Sequence, residues 1–204
     1  MATTDQQIAT RDAREQNRRR IIDATAALVR ERPYARLSVG EIMELAGIGR
    51  TLFYRHFDDL GELLLRVGRE AMEELYEAQL ALASIRVDYG PEAVREALEL
   101  PVAVYQRHGP LLRAATEAAA GDEVIAARQE ALRRRFDDLV DEALRRVSEE
   151  GGRRFADTSE TARAVNLLSH SYLVDAFGRE PRVPAEVAVR TLSEIWVALI
   201  TPAP

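Results

Sequence analysis

The sequence predicts an all-α protein, and three observations carry that expectation. Apolar residues recur at helical spacing in segment after segment, and no stretch shows sustained two-residue alternation. The apolar content comes from Ala, Leu and Val more than from aromatics, which form 6% of the chain. Helix signals punctuate its length: Ser38/Glu41 and Asp157/Glu160 at capping-box spacing, and Gly47, Gly121-Asp122 and Gly151-Gly152 at the ends of periodic runs. No internal repeat or low-complexity run interrupts the pattern.

Residues 1–12 are polar and unpatterned, and are expected to form a disordered arm. From Arg14 to Arg32, Ile21, Ile22, Thr25, Leu28 and Val29 form the stripe of an amphipathic helix that Pro33 ends. Ser38 to Ala46 forms a short second helix, with Gly47 suited to the left-handed turn after it. A third runs from about Gly49 to Phe57. Asp58 or Asp59 caps a fourth, carrying Leu60, Leu63, Leu64 and Val67, that can extend to Ser84. Behind Pro91, a helix with Val94, Leu98, Val102 and Tyr105 is expected to kink at Pro101, and Gly109-Pro110 to separate it from a further short helix. A long helix follows Gly121-Asp122. Two more, Ala162 to Phe177 and Val187 to Ile200, flank the proline-bracketed link 180–184, giving about nine helices in all.

Composition narrows the function. Cysteine is absent, which excludes disulfides, thiolate metal sites and a cysteine nucleophile. No segment approaches the ~18 to 20 continuous apolar residues of a membrane span, and the polar N-terminus lacks a secretory h-region. A soluble cytoplasmic protein with no membrane association and no cofactor is expected. The net charge of −6 conceals an asymmetry. Arg11 to Phe57 holds ten arginines against six acids, a local +4, whereas Asp58 onward holds eighteen against twenty-seven, a local −9. A basic head on an acidic body can approach phosphates with one end only, although a solvated helical face has the same charge.

The second and third helices, joined by Ala46-Gly47-Ile48, have the spacing of a helix-turn-helix. Ile42, Leu45, Ile48, Leu52 or Phe53, and Phe57 are placed to form its small core. Arg50 and Thr51 then stand at the start of the helix that enters a major groove, where Arg bonds a guanine edge and Thr a base or a thymine methyl. Tyr54, Arg55 and His56 follow on the exposed side. A glycine-turned helix pair also occurs in helical proteins that never meet DNA.

The run Ser38-Val39-x-x-Ile42-x-x-x-Ala46-Gly47-Ile48-x-x-x-x-Phe53-Tyr54-x-His56-Phe57, with Ile21, Ile22, Ala24 and Leu28 before it, closely resembles the DNA-binding domain of TetR-family regulators. The resemblance covers residues 14 to 65. Arg32-Pro33, Asn166-Leu167, Phe177-x-x-Glu180-Pro181-x-Val183-Pro184 and Ile195-Trp196-Val197 extend it towards the ethionamide-resistance branch of that family. It implies a DNA-binding domain over 13–58 and an effector-binding, dimerising domain over 59–204. Its partners would be operator DNA, a small-molecule effector and a second copy of the chain.

By position, the resemblance implies that Ser38, Val39 and His56 meet phosphate, and that Arg50, Thr51 and Tyr54 read or brace bases; Gly49 and Arg55 complete the DNA-binding set. Three positions depart from the pattern. Gly49 stands where a capping Ser is usual, Leu52 replaces a residue that often faces DNA, and Leu60 replaces a common Lys. The ligand pocket is expected to be lined by Val94, Tyr105, Gln129, Phe136, Leu139, Asn166, Ser169 and Trp196. Phe136 and Gln129 stand where the branch is richer in Trp, so a different ligand is expected. Asn166 lies in an apolar helix, where its amide needs either protein partners or a ligand. The dimer interface is expected at Ala164, Leu168, Ala176, Val187 and Leu192, though the same stripes could pack within one chain.

The expected function is a ligand-released, sequence-specific repressor. The alternative is a helical small-molecule-binding or scaffold protein with degenerate DNA binding. An enzyme is not expected: His108 and His170 lack motif partners and no G-x-S-x-G or phosphate loop appears, which leaves only a carboxylate site among thirty-four acids.

Overall fold

The computed structural model describes residues 2–84 and 90–201, with side chains over 11–81, 83–84 and 90–201. Met1, part of the expected arm, lies outside the described residues. Eight α-helices and two 3₁₀ turns form the described chain, and no strand occurs among these residues. In order these are α1 (Ala2–Glu31), a 3₁₀ turn (Tyr34–Arg36), α2 (Val39–Ala46), a 3₁₀ helix (Arg50–Arg55) where the recognition helix is expected, and α3 (Leu60–Val67). There follow α4 (Arg69–Ala83), α5 (Gly90–Ala119), α6 (Glu123–Glu149), α7 (Thr158–Phe177) and α8 (Ala185–Ile200). No helix of the described residues is long and apolar enough to cross a membrane.

Several boundaries differ from expectation. α1 begins at Ala2 rather than near Arg14. Residues 2–12 contain neither Gly nor Pro, and extending a helix already anchored by Ile21, Ala24, Leu28 and Val29 needs no new nucleus. The recognition segment winds as a 3₁₀ helix, with Leu52 N–H bonding Gly49 O (3.0 Å) and His56 N–H bonding Phe53 O (2.8 Å). The expected fourth helix parts at Gly68 into α3 and α4.

α5 is continuous through Gly109-Pro110, where a break was expected. Pro110 removes the amide that Gln106 O would accept from, and Arg182 Nη1 replaces it at 3.0 Å. Gly109 lies flush against the end of α7, so the pair is held by packing from both sides. α5 is the central helix, packing on α4, α6, α7 and α8 and also on α1 and the first 3₁₀ turn.

One cluster of buried apolar side chains runs from Ile21 to Trp196. At its N-terminal end Ile21, Ile42, Met43, Phe53, Phe57 and Leu63 are fully buried, and burying each of these contributes roughly 1.5–3 kcal/mol. Leu45, expected in this core, is 55% exposed. The buried face of α2 is Ile42, Met43 and Ala46, and Leu45 falls beyond its edge.

Candidate nucleic-acid interface and effector cavity

The helix-turn-helix is set by local chemistry. Ser38 caps α2, its Oγ accepting from Glu41 N–H at 3.3 Å. The Glu41 carboxylate does not mirror that bond; it accepts from the Ser38 hydroxyl (2.8 Å) and from Arg32 (2.7 Å). These partners, Ser38 foremost, hold its pKa below the usual carboxylate value. At the other end Gly47 adopts φ 64°, and the Gly47 and Ile48 amides bond Glu44 O and Met43 O, both at 3.0 Å, closing a Schellman turn. A Cβ at Gly47 would also meet Arg20 Nη2 at 2.7 Å, so the turn needs glycine for conformation and for space.

Two arginines of α1 hold the recognition segment at both ends. Arg20 Nη2 donates to Gly47 O (3.3 Å) and Arg14 Nη2 to Arg55 O (3.0 Å). Gly49 supplies no side-chain cap, as its identity implies. Three residues per 3₁₀ turn stack Tyr54 over Thr51 on an exposed face, while Phe53 is buried against Phe57 with ring centroids 5.7 Å apart. Ser38, Gly49, Arg50, Thr51, Tyr54 and Arg55 are exposed, and Val39 and His56 half-buried. Leu52 and Leu60 are half-buried against the core. His56 is pushed below its ordinary pKa by burial first and then by Arg14, Arg18 and Arg55, so it is neutral near pH 7.

The second feature is a cavity of about 570 Å³ within the helical body. Its walls are largely apolar: Leu64, Met72 and Leu75 on one side, Leu98 and Leu112 of α5, Phe136 of α6 and Trp196 of α8. Of the expected lining residues, Tyr105, Gln129, Phe136, Asn166, Ser169 and Trp196 border it; Val94 and Leu139 do not. Val94 lies a turn before Leu98, the first residue of α5 at the cavity, and Leu139 nearly a turn after Phe136, the last of α6.

Two hydrogen-bonded chains of polar groups lie at the cavity. Gln79 donates to Asn166 Oδ1 (3.2 Å), Asn166 Nδ2 donates to Asp137 (2.9 Å), and Asp137 pairs with Arg133. The Asn166 amide thus has a protein partner at both its oxygen and its nitrogen. Thr116 donates its proton to Leu112 O (3.0 Å), so its oxygen is left to accept from His170 Nε2–H at 3.4 Å. His170 Nδ1 then accepts from Tyr105 O–H at 2.6 Å. Burial pushes the His170 pKa down and the Tyr105 pKa up, keeping both neutral. Among the described residues, Ser169 Oγ and Trp196 Nε1 border the cavity, are buried and have no hydrogen-bond partner.

The turns of α5 that wall the cavity also touch the end of the chain that carries the helix-turn-helix. Arg113 donates to Val29 O (3.3 Å) in α1, to Gly178 O (2.9 Å) after α7 and to Glu117 (2.7 Å). Glu117 accepts from Tyr34 N–H at 2.8 Å. Sequence reasoning missed this node, because the partners of Arg113 and Glu117 in α1, the turn after it and the end of α7 are remote in sequence. It also missed the His170–Tyr105 bond, whose partners stand 65 residues apart.

On the expected dimer face, Ala164 and Leu168 are exposed and Val187 is half-buried. Ala176 and Leu192, however, are 3% and 1% exposed. They face the chain's own core, where α5 packs against α7 and α8. Leu167 and Ile195 are exposed in their place.

Residues 21–67 match the family described as bacterial regulatory proteins, tetR family. The chain is 27% identical over 183 residues to the HTH-type transcriptional regulator EthR of Mycobacterium tuberculosis, covering 88% of this chain and 85% of the relative. It shares its fold with the TetR family transcriptional regulator PfmR of Thermus thermophilus (TM-score 0.71, 23% identity, 87% of this chain and 97% of the other). The same holds for AibR, solved in complex with isovaleryl coenzyme A and operator DNA (TM-score 0.66, 21% identity, 88% and 97%). Residues 21–67 thus carry the match to the tetR family, and the chain over most of its length is similar to DNA-binding transcriptional regulators of that family.

Proposed function

We propose that this regulator is a homodimeric repressor, released from a pseudo-palindromic operator when a small uncharged, apolar molecule enters the cavity. The observation that carries the reading is the double role of α5: Leu112 and Thr116 border the cavity, while Arg113 and Glu117, on the same turns, bond the end of α1 and the turn after it. A ligand that shifts this stretch of α5 changes how the DNA-binding end is held. It weakens DNA binding to the extent that it prefers the shifted state. AibR, solved with both a small molecule and operator DNA, supports the same economy in this fold.

In this reading residues 13–58 bind DNA and 59–204 bind effector and partner. Arg50, Thr51 and Tyr54 contact bases, while Ser38, Val39, Arg55 and His56 contact phosphate. Two protomers pair through the α7–α8 face carrying Ala164, Leu167, Leu168 and Ile195. Their recognition helices then lie one DNA turn apart, about 34–36 Å. A gel shift with the DNA upstream of the protein's own gene tests the reading. Tight binding that weakens steeply between about 50 and 200 mM salt supports it, and absent or salt-insensitive binding favours a scaffold or ligand carrier.

His56 adds a pH signature. A phosphate beside its ring favours the imidazolium, reversing the downward push of burial and the arginines in the free protein. Complex formation then takes up a proton, so affinity rises as pH falls from about 8 towards 6. Equilibrium binding across that range should show the rise in the wild type and a smaller one in His56→Gln. Equal profiles would remove His56 from the phosphate contacts.

A further inference from the structure

Cations beside the recognition helix are unevenly placed. The start of α3, which follows it directly, is acidic: Asp58 and Asp59 precede Glu62, whose carboxylate accepts from the Asp58 amide at 2.7 Å while Asp59 caps the helix. Negative side chains already occupy two of the amides there, those of Asp58 and Glu62, and disfavour a phosphate. The positive groups lie on the other side, along α1. Arg11, Arg14 and Arg18, with Arg66 of α3 and His56, line a concavity of about 480 Å³. Two acids share it, Asp12 and Glu15, and Glu15 is paired with Arg18 at 3.1 Å. Arg14 is bonded to Arg55 O, which places this concavity at the end of the recognition helix. Six residues of 3₁₀ helix span ~12 Å, about the width of a major groove, so a helix whose start meets base edges brings its far end to the phosphate wall.

We infer that α1 is itself a DNA-contacting element, and that Arg11, Arg14 and Arg18, with His56 and Arg66, cradle a backbone phosphate flanking the bases read by the recognition helix. The inference rests on reading the chain as a DNA binder and adds α1 to the proposed phosphate contacts at Ser38, Val39, Arg55 and His56. The shape fits: Arg14 keeps one N–H on Arg55 O and has others for an oxygen, while Arg11 is exposed. The positive field that α1 and Arg55 impose on His56 is the field such an anion would neutralise.

The test uses the full-length protein and a mixed-sequence duplex, because phosphate contacts need no operator. The double variant Arg11→Gln, Arg18→Gln leaves Arg14 on Arg55 O and keeps good helix formers. Its plot of log affinity against log salt is expected to be shallower by about 1 to 2, with binding ~10-fold weaker at low salt and an unchanged melting temperature. Glu15→Gln, which removes a competing carboxylate, is expected to bind several-fold tighter. A wild-type slope in the double variant overturns the inference and leaves the DNA-binding reading standing. A wild type that binds no duplex overturns both. Calorimetry with inorganic phosphate separates a free-anion site: saturable phosphate binding lost in the double variant, with the DNA slope unchanged, also counts against α1 as a DNA contact.

Discussion

A protein carrying Arg50→Ala and Tyr54→Ala together is expected to bind its operator at least ~100-fold more weakly than the wild type. An arginine fork on a guanine edge is worth about 1–3 kcal/mol of discrimination, and the tyrosine adds packing and a hydroxyl over the same groove. Both side chains are exposed, Tyr54 by 62%, and Tyr54 meets the core only through an edge-on contact with Phe53, ring centroids 5.2 Å apart. That core is Phe53 and Phe57, at 0% and 1% exposure, and the double variant leaves it intact. The melting temperature should therefore stay within a few degrees of the wild type, while weak binding to arbitrary duplex persists through the remaining cations. Equilibrium binding to operator and non-operator duplexes, with a melting curve, separates these effects. Undiminished operator preference would move base reading away from the start of the recognition helix.

Gly109→Ala is expected to cost about 3 kcal/mol of stability, at the upper end for overpacking a closed site. A Cβ there would lie 2.3 Å from Phe177 O and 2.6 Å from its carbonyl carbon. Backbone cannot yield as a flexible side chain does, so α5 and the end of α7 must separate. For a chain of this size the cost lowers the melting temperature by ~6–12 °C. Gly121→Ala is the matched control, since a Cβ there meets nothing within 4 Å and little change should follow. Gly109 lies on the helix that walls the cavity, so the variant should also lose ligand affinity. If Gly109→Ala melts with the wild type, the close approach of α5 and α7 is not what holds the cavity closed.

The legible parts of this molecule were those written in local chemistry. The caps at Ser38, Asp122 and Asp157, the left-handed Gly47 and the buried Phe53–Phe57 pair each depend on neighbours within a few residues, and sequence spacing carries that information. Gly109-Pro110 misled for the opposite reason. The partners that keep the helix whole, Arg182 and Phe177, lie some seventy residues away. Asn166 shows the same limit. Its amide left a ligand open as a partner only because Gln79 and Asp137 reach it from other helices. Ala176 and Leu192 carried the small and apolar pattern of an interface, yet periodicity does not distinguish a partner's helix from the chain's own α5. The cavity's unpartnered groups, Ser169 Oγ and Trp196 Nε1, emerge only once all other partners are placed.

The proposed coupling of cavity to DNA has a built-in reporter, because the chain's single tryptophan, Trp196, borders the cavity. Candidate apolar molecules titrated into the protein should perturb its fluorescence as they bind. The decisive measurement is operator affinity followed through the same titration. Repression relieved by cavity binding predicts that affinity falls over the concentrations at which the Trp196 signal changes, by ~5-fold or more, the usual lower range of coupling between two sites. A ligand that saturates the Trp196 signal and leaves operator affinity unchanged would contradict it.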